Sequence, residues 1–291
     1  MTAPFIADTL GPRGRRKVAV ASVVAGFLVA AMVAVAFLRL LHKGQLNEHL
    51  VDPLRQWSVQ RFLFLGLVNT AKAAAAGMAL AMLVGAFLAL GRLSRTAPVR
   101  WTSALFVELF RAMPLILLIF FCAFGLPKVG VHVKPFGAVV LALTAYNGAV
   151  LGEIFRAGIL SLERGQSEAA SALGLTYWQS MRRVIVPQAA RRMIPAIVSQ
   201  LVTLLKDTSL GSVVNYDELL RRSRDTGTFY GNSLQVLAEA AIIYIVVNFA
   251  LSRLARRLEI RQRRKYKAGA IQVTGVEDLA IVGAQAEAAV A

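Results

Sequence analysis

Glu168-Ala169-Ala170-Ser171-Ala172-Leu173-Gly174, followed by Leu175-Thr176-Tyr177-Trp178 and closed by Pro187, is a polar, helix-forming stretch set between long apolar segments. Glu168 through Leu173 contain no helix breaker. Gly174 suits a left-handed C-terminal cap, and Thr176 suits the N-cap of a second helix. Pro187 is expected to break the chain before the next apolar segment. The spacing therefore predicts a compact helix-turn-helix within residues 161–192. Its apolar residues Ala169, Ala170, Leu173, Trp178 and Met181 have no lipid to enter, so their natural destination is a groove on a partner chain. A helix lying on the bilayer surface is the alternative.

Outward from this loop the chain is dominated by apolar runs. Apolar residues make up 57% of the 291 residues, more than a soluble core can use. A helix needs about 20 mainly apolar residues to span a bilayer. The runs are long and do not alternate, which favours helices over barrel strands. Six spans are predicted, at 18–41, 62–91, 103–126, 136–160, 193–215 and 235–252, giving an all-α integral membrane protein. Basic residues orient it. One side receives Arg13 to Lys17, Arg92, Arg95, Arg100, the arginines of 161–192 and the run from Arg253 to Lys267. The other receives fewer: Lys43, Arg55, Arg61, Lys128, Lys134, Arg221, Arg222 and Arg224. Both termini are therefore expected in the cytoplasm. The net charge of +17 is read as topology and attraction to anionic membrane lipid, not as nucleic-acid binding.

Arg13 to Lys17 and Ala34-Val35-Ala36 imitate a cleavable signal, but apolar residues continue to Leu41, so an uncleaved helix is expected. Three units follow: residues 1–61 with the extra helix, 62–258 as the transmembrane body, and 259–291 as a basic and then poorly ordered tail. Cys122 stands alone, and His42, His49 and His132 have no ligand spacing, so no metal site is expected.

Charges inside apolar spans are costly and mark protein-facing or water-facing positions. Glu108 and Arg111, and Glu153 and Arg156, are spaced three apart on one helix face and read as structural ion pairs. Lys206, Asp207, Thr208 and Ser209 fall in the fifth span. Adjacent helical residues point about 100° apart, so Lys206 and Asp207 need partners elsewhere or a polar solute. Bracing and pathway lining stay equally open for them, with Lys72 and Asn147 as further pathway candidates. Gly148 and Gly152 read as a close-packing pair beside Asn147, and Gly211 as the site of an irregular turn.

The segment from Glu168 to Pro187 resembles the EAA loop of ABC importer permeases: Gly174 follows at the family distance, and Val184-Ile185-Val186-Pro187 supplies the apolar ending, with valine where isoleucine or leucine is common. Glu108-Leu109-Phe110-Arg111-Ala112-Met113-Pro114, Gly152-Glu153-Ile154-Phe155-Arg156-Ala157-Gly158-Ile159 and Leu205-Lys206-Asp207-Thr208-Ser209-Leu210 are similar to the polar amino-acid branch. The extra first helix, Asn69-Thr70-Ala71-Lys72 and Tyr146-Asn147-Gly148 look like the larger permease subunit of actinobacterial glutamate importers. The resemblance implies a five-helix type I permease core with one added N-terminal helix, in a bacterial plasma membrane. It implies a second permease, often a shorter chain, and an extracytoplasmic amino-acid-binding protein. It also implies a pair of ATPase subunits that grip a coupling loop carrying Glu168, Ala169, Ala170, Gly174, Trp178 and Pro187. ATP and Mg would belong to those subunits, since this chain has no G-x-x-x-x-G-K-[ST] loop and needs no cofactor of its own. An ion-gradient-driven secondary transporter fits the buried charges equally well but not the docking loop. A scaffold has no need of Lys206 and Asp207, and no nucleophile-base pair suggests an enzyme.

Overall fold

The computed structural model describes residues 11–45, 47–162, 164–254, 256–257 and 260. Apart from residue 260, the tail expected at 259–291 lies outside the described residues. All regular elements among them are helical. In chain order they are α1 (Pro12–His42), α2 (Glu48–Arg55), α3 (Trp57–Arg92), α4 (Ala97–Ala112), α5 (Leu115–Phe120) and α6 (Pro135–Leu160). Then come α7 (Arg164–Ala172), α8 (Tyr177–Ser180), α9 (Val186–Asp207), α10 (Leu219–Tyr230) and α11 (Ser233–Leu254).

α3 and α6 form the centre. Thr70, Ala73, Ala74, Gly77, Ala81, Gly85 and Ala89 recur every three or four residues on the buried side of α3. Small residues on one stripe let two backbones approach. A side chain at Gly85 would meet the Leu151 side chain at 2.9 Å and the backbones of Gly152 and Gly148 at 3.0 and 3.1 Å. One at Gly148 would strike Val84 at 2.9 Å. The close-packing expectation for Gly148 and Gly152 describes this seam. Around it, Leu118 and Ile119 of α5, Val139 and Leu143 of α6, and Leu204 of α9 close an apolar core. Many apolar side chains point outward instead: the apolar stretch of α1 buries nothing inside the chain, and Phe27 and Phe87 are almost three-quarters exposed. Such a surface is stable in lipid, not in water.

Among the described residues, four helices are long and apolar enough to cross a membrane: Gly14–His42, Trp57–Arg92, Pro135–Leu160 and Ser233–Leu254. Two of the six expected spans differ. The third, 103–126, is not one helix: α4 ends at Ala112, and Leu115–Val129 leaves it at a bend of 102°. Pro114 cannot supply an amide donor, and it holds Met113 extended at ψ 133°. The fifth, 193–215, begins within α9, which is long enough to cross a membrane but less apolar than those four helices. Its helical part stops at Asp207 and tightens into a 3-10 turn over Thr208–Val214. Gly211 does not make the irregular turn; Asn215 does, with φ 58°. Gly211 is instead crowded, since a Cβ there would lie 3.0 Å from Val139 and 3.1 Å from Tyr216.

Candidate functional site

Two regions carry the polar chemistry. The first is the hairpin between α6 and α9. α7 ends in a Schellman arrangement: the Leu175 amide donates to Ala170 O at 3.1 Å and the Gly174 amide to Ser171 O at 3.0 Å. Gly174 takes φ +75° to make that closure. Thr176 then caps α8 with a reciprocal pair, its amide donating to Gln179 Oε1 at 2.9 Å and its Oγ1 accepting from the Gln179 amide. The hairpin is tied down by Gln188 to Gln166 at 3.0 Å and by Arg192 to Ser161 O at 2.9 Å. Leu173 is 81% exposed and Trp178 68% exposed, and Glu168 and Ala169 are exposed beside them. Ala170 is buried, so it holds the hairpin together instead of presenting itself to a partner.

Pro187 does not break the chain. A π turn, Met181–Ile185, joins α8 to α9 without interruption, and Pro187 occupies the first turn of α9. There the proline sits where the wider π pattern hands over to the α pattern, a junction at which the hydrogen-bond ladder is already shifted. The hairpin is therefore fused to α9.

The second region is the far end of α9. Four backbone carbonyls are left over at any helix end. Here Thr208 Oγ1 donates to Leu205 O and Ser209 Oγ to Lys206 O, both at 2.7 Å. Both hydroxyls thus complete the helix terminus, and Lys206 in the last turn complements its dipole. Lys206 and Ser209 also line an open groove of about 670 Å³ with Tyr244, Asn248 and Ser252 of α11. Asp207 is half-buried and Thr208 buried beside it. Lys72 is exposed on α3 and does not line this groove. Nor does Asn147, which is fully buried: its Nδ2 donates to Leu143 O at 2.9 Å and its Oδ1 accepts from Gln200 at 2.6 Å, clamping α6 to α9.

The two expected ion pairs divide. Glu153 and Arg156 pair at 2.6 Å, and Arg92 of α3 meets the same carboxylate at 2.5 Å. Glu108 turns to Arg92 at 3.8 Å instead of to Arg111, because α4 packs against the end of α3 there. Arg92, expected only as one of the basic residues that orient the chain, is the joint of this network.

A further polar hub went unread in the sequence. Glu218 is fully buried at the start of α10. It accepts from the amides of Leu220 at 2.8 Å and Arg221 at 2.7 Å, and from the Tyr244 hydroxyl at 2.7 Å. Beside it the Leu219 amide donates to Thr70 Oγ1 at 3.2 Å and the Tyr216 hydroxyl to Asn69 O at 2.7 Å. α3, α10 and α11 are thus locked around the chain that follows α9. Only the N-cap position of a carboxylate ahead of Leu219 could have hinted at this.

The geometry agrees with known proteins. The family described as binding-protein-dependent transport system inner membrane component matches residues 81–264. The glutamate transport system permease protein GluD of Corynebacterium glutamicum is 38% identical over 231 residues, 77% of this chain and 84% of the relative. The probable glutamine ABC transporter permease protein GlnP of Bacillus subtilis is 38% identical over 208 residues, 69% of this chain and 94% of that one. A crystal structure of an amino acid ABC transporter superposes with a TM-score of 0.68 at 30% identity, covering 72% of this chain and 97% of that one. The inward-facing MetNI methionine ABC transporter, at 24% identity and a TM-score of 0.54, shares the fold.

Replacing Glu218 by Leu strands two amides and a hydroxyl in an apolar site, each unmet group costing about 1–3 kcal/mol. Glu218→Leu is expected to lower the thermal unfolding midpoint in detergent clearly, and Glu218→Gln far less. Equal midpoints for Glu218→Leu and the wild type would mean that the hub adds no stability.

Proposed function

We propose that this chain, which belongs to the family of inner membrane components of binding-protein-dependent transport systems, is the permease subunit of an ATP-driven amino-acid importer. The hairpin carries this reading. It is a rigidly capped projection whose outward residues, Leu173 and Trp178, are apolar and uncovered. A gradient-driven transporter would leave that surface without an occupant. Glu168, Ala169, Gly174 and Trp178 are proposed to seat in a cleft of a partner ATPase, which holds the ATP and Mg. Because the π turn fuses the hairpin to α9, a push on α8 moves α9 as well. Closure of the partner favours one state of the permease only through contacts that differ between states.

The remaining architecture follows as a proposal. Six crossings run through α1, α3, Leu115–Val129, α6, α9 with its 3-10 end, and α11, with both termini cytoplasmic by the excess of arginine on that side. The body is taken as residues 62–258 and the coupling loop as 161–192. The working assembly adds a second permease of a different, shorter sequence, two ATPase subunits and an extracytoplasmic binding protein, in a bacterial plasma membrane. GluD is a glutamate transport permease, and glutamate is the proposed solute here. A carboxylate losing water within the membrane needs a cation or donors. Lys206 in its groove is the group proposed to meet it, with Ser209 beside it and Asp207 and Thr208 behind.

Two substitutions test this. At φ +75° a β-branched residue is strained by the order of 1–3 kcal/mol. Gly174→Val is expected to insert and assemble normally, to keep ATP hydrolysis, and to lose most amino-acid uptake. Normal uptake per ATP in that variant contradicts the coupling role. Lys206→Met is expected to abolish uptake while leaving assembly intact, and unchanged uptake kinetics would remove Lys206 from the path.

A further inference from the structure

α4 is amphipathic and packs against α3 and α6. A side chain at Gly91 would strike Ser103 and touch Val99, while Glu108 reaches the neighbouring Arg92 at 3.8 Å. Two successive turns of α4, at Val99 and Ser103, thus rest against the end of α3. The 102° bend between α4 and Leu115–Val129 means that the two cannot both run along the membrane normal. Leu115–Val129 carries a single charge, Lys128, and α4 carries three, so α4 is the segment that suits a place across the normal.

The two faces of α4 differ. Val107 is fully buried against the bundle. Opposite it, Trp101, Leu105 and Leu109, four residues apart, are 71%, 69% and 51% exposed. An apolar strip of this kind on a helix across the membrane normal fits the boundary between headgroups and acyl chains, where tryptophan is favoured. The charge fits an anionic surface. Glu108 is opposed by Arg92, which leaves α4 presenting Arg100 in its first turn and Arg111 in its last, both exposed. Arg100 gives one N–H to Ser94 O at 3.4 Å, and a guanidinium has five to give.

We propose that α4 is an in-plane membrane-surface helix. Its Trp101, Leu105 and Leu109 strip lies beneath the phosphates of the cytoplasmic leaflet, and Arg100 and Arg111 bind anionic phospholipid. The leaflet and the in-plane placement rest on the crossings proposed above; the exposed strip and its flanking arginines do not.

Three single-cysteine variants in a Cys122→Ser background, Trp101→Cys, Leu105→Cys and Leu109→Cys, place a nitroxide at each point of the strip. The labelled chain is assembled with its partner subunits in vesicles of phosphatidylcholine and phosphatidylglycerol. Collision with oxygen and with a water-soluble nickel chelate then reports depth. The proposal requires oxygen to dominate at all three positions and the depth to be the same shallow value. A depth that increases steadily from one position to the next makes α4 part of a crossing helix and overturns it. Shielding from both agents means that a protein partner covers the strip, and overturns it equally. For the headgroups, the assembled transporter extracted in mild detergent is expected to retain phosphatidylglycerol, and Arg100→Gln to retain roughly fivefold less. Equal retention by Arg100→Gln and by Arg111→Gln removes the anionic-lipid assignment. Both readouts are independent of transport, so neither outcome depends on which solute the chain carries.

Discussion

The close approach of α3 and α6 at Gly85, Gly148 and Gly152 sets the geometry on which the rest depends. Without side chains at these points the two backbones come near enough for the groups at both ends of the contact to meet. Towards one end, Arg92 reaches Glu153 across the seam, and Arg156 completes the cluster. Further along, Asn147 reaches Gln200 and brings α9 against the same pair. The hairpin is the continuation of α6 on one side and of α9 on the other. Its position is therefore inherited from that contact.

The second constraint is the cost of ending a helix among apolar residues. α9 stops at Asp207, and its last carbonyls still require donors. Thr208 and Ser209 supply hydroxyls there, Asn215 turns the chain, and Glu218 caps the helix that follows. The polar run first noticed as charge in a membrane segment is thus partly the chemistry of a helix terminus. A terminus of this kind leaves Lys206 at the edge of a groove, which is how one stretch serves both stability and the proposed passage of solute.

What was legible in the sequence was local. Gly174 and Thr176 announce a turn because their caps involve residues within five positions, and the structure makes those bonds. Gly148 and Gly152 announce a close contact by spacing alone. Pro187 does not break the helix because it sits at the junction of a π turn with α9, and nothing in the sequence marks that turn. Met113-Pro114 marks a bend, but the apolar length of 103–126 hides it in a reading by hydropathy. Glu108 follows Arg92 and not Arg111, Asn147 is held by Gln200, and Glu218 is held by Tyr244. Each depends on a partner brought near by helix packing, and no short-range pattern records it.

The central claim is that this chain works as one subunit of an assembly whose energy enters through the hairpin. The most direct measurement is mass spectrometry of the chains that copurify with it in mild detergent from its native membrane. The account predicts a P-loop ATPase and a second permease at fixed stoichiometry. Recovery of the chain alone, under conditions where other membrane complexes survive, would contradict it and favour a transporter driven by an ion gradient.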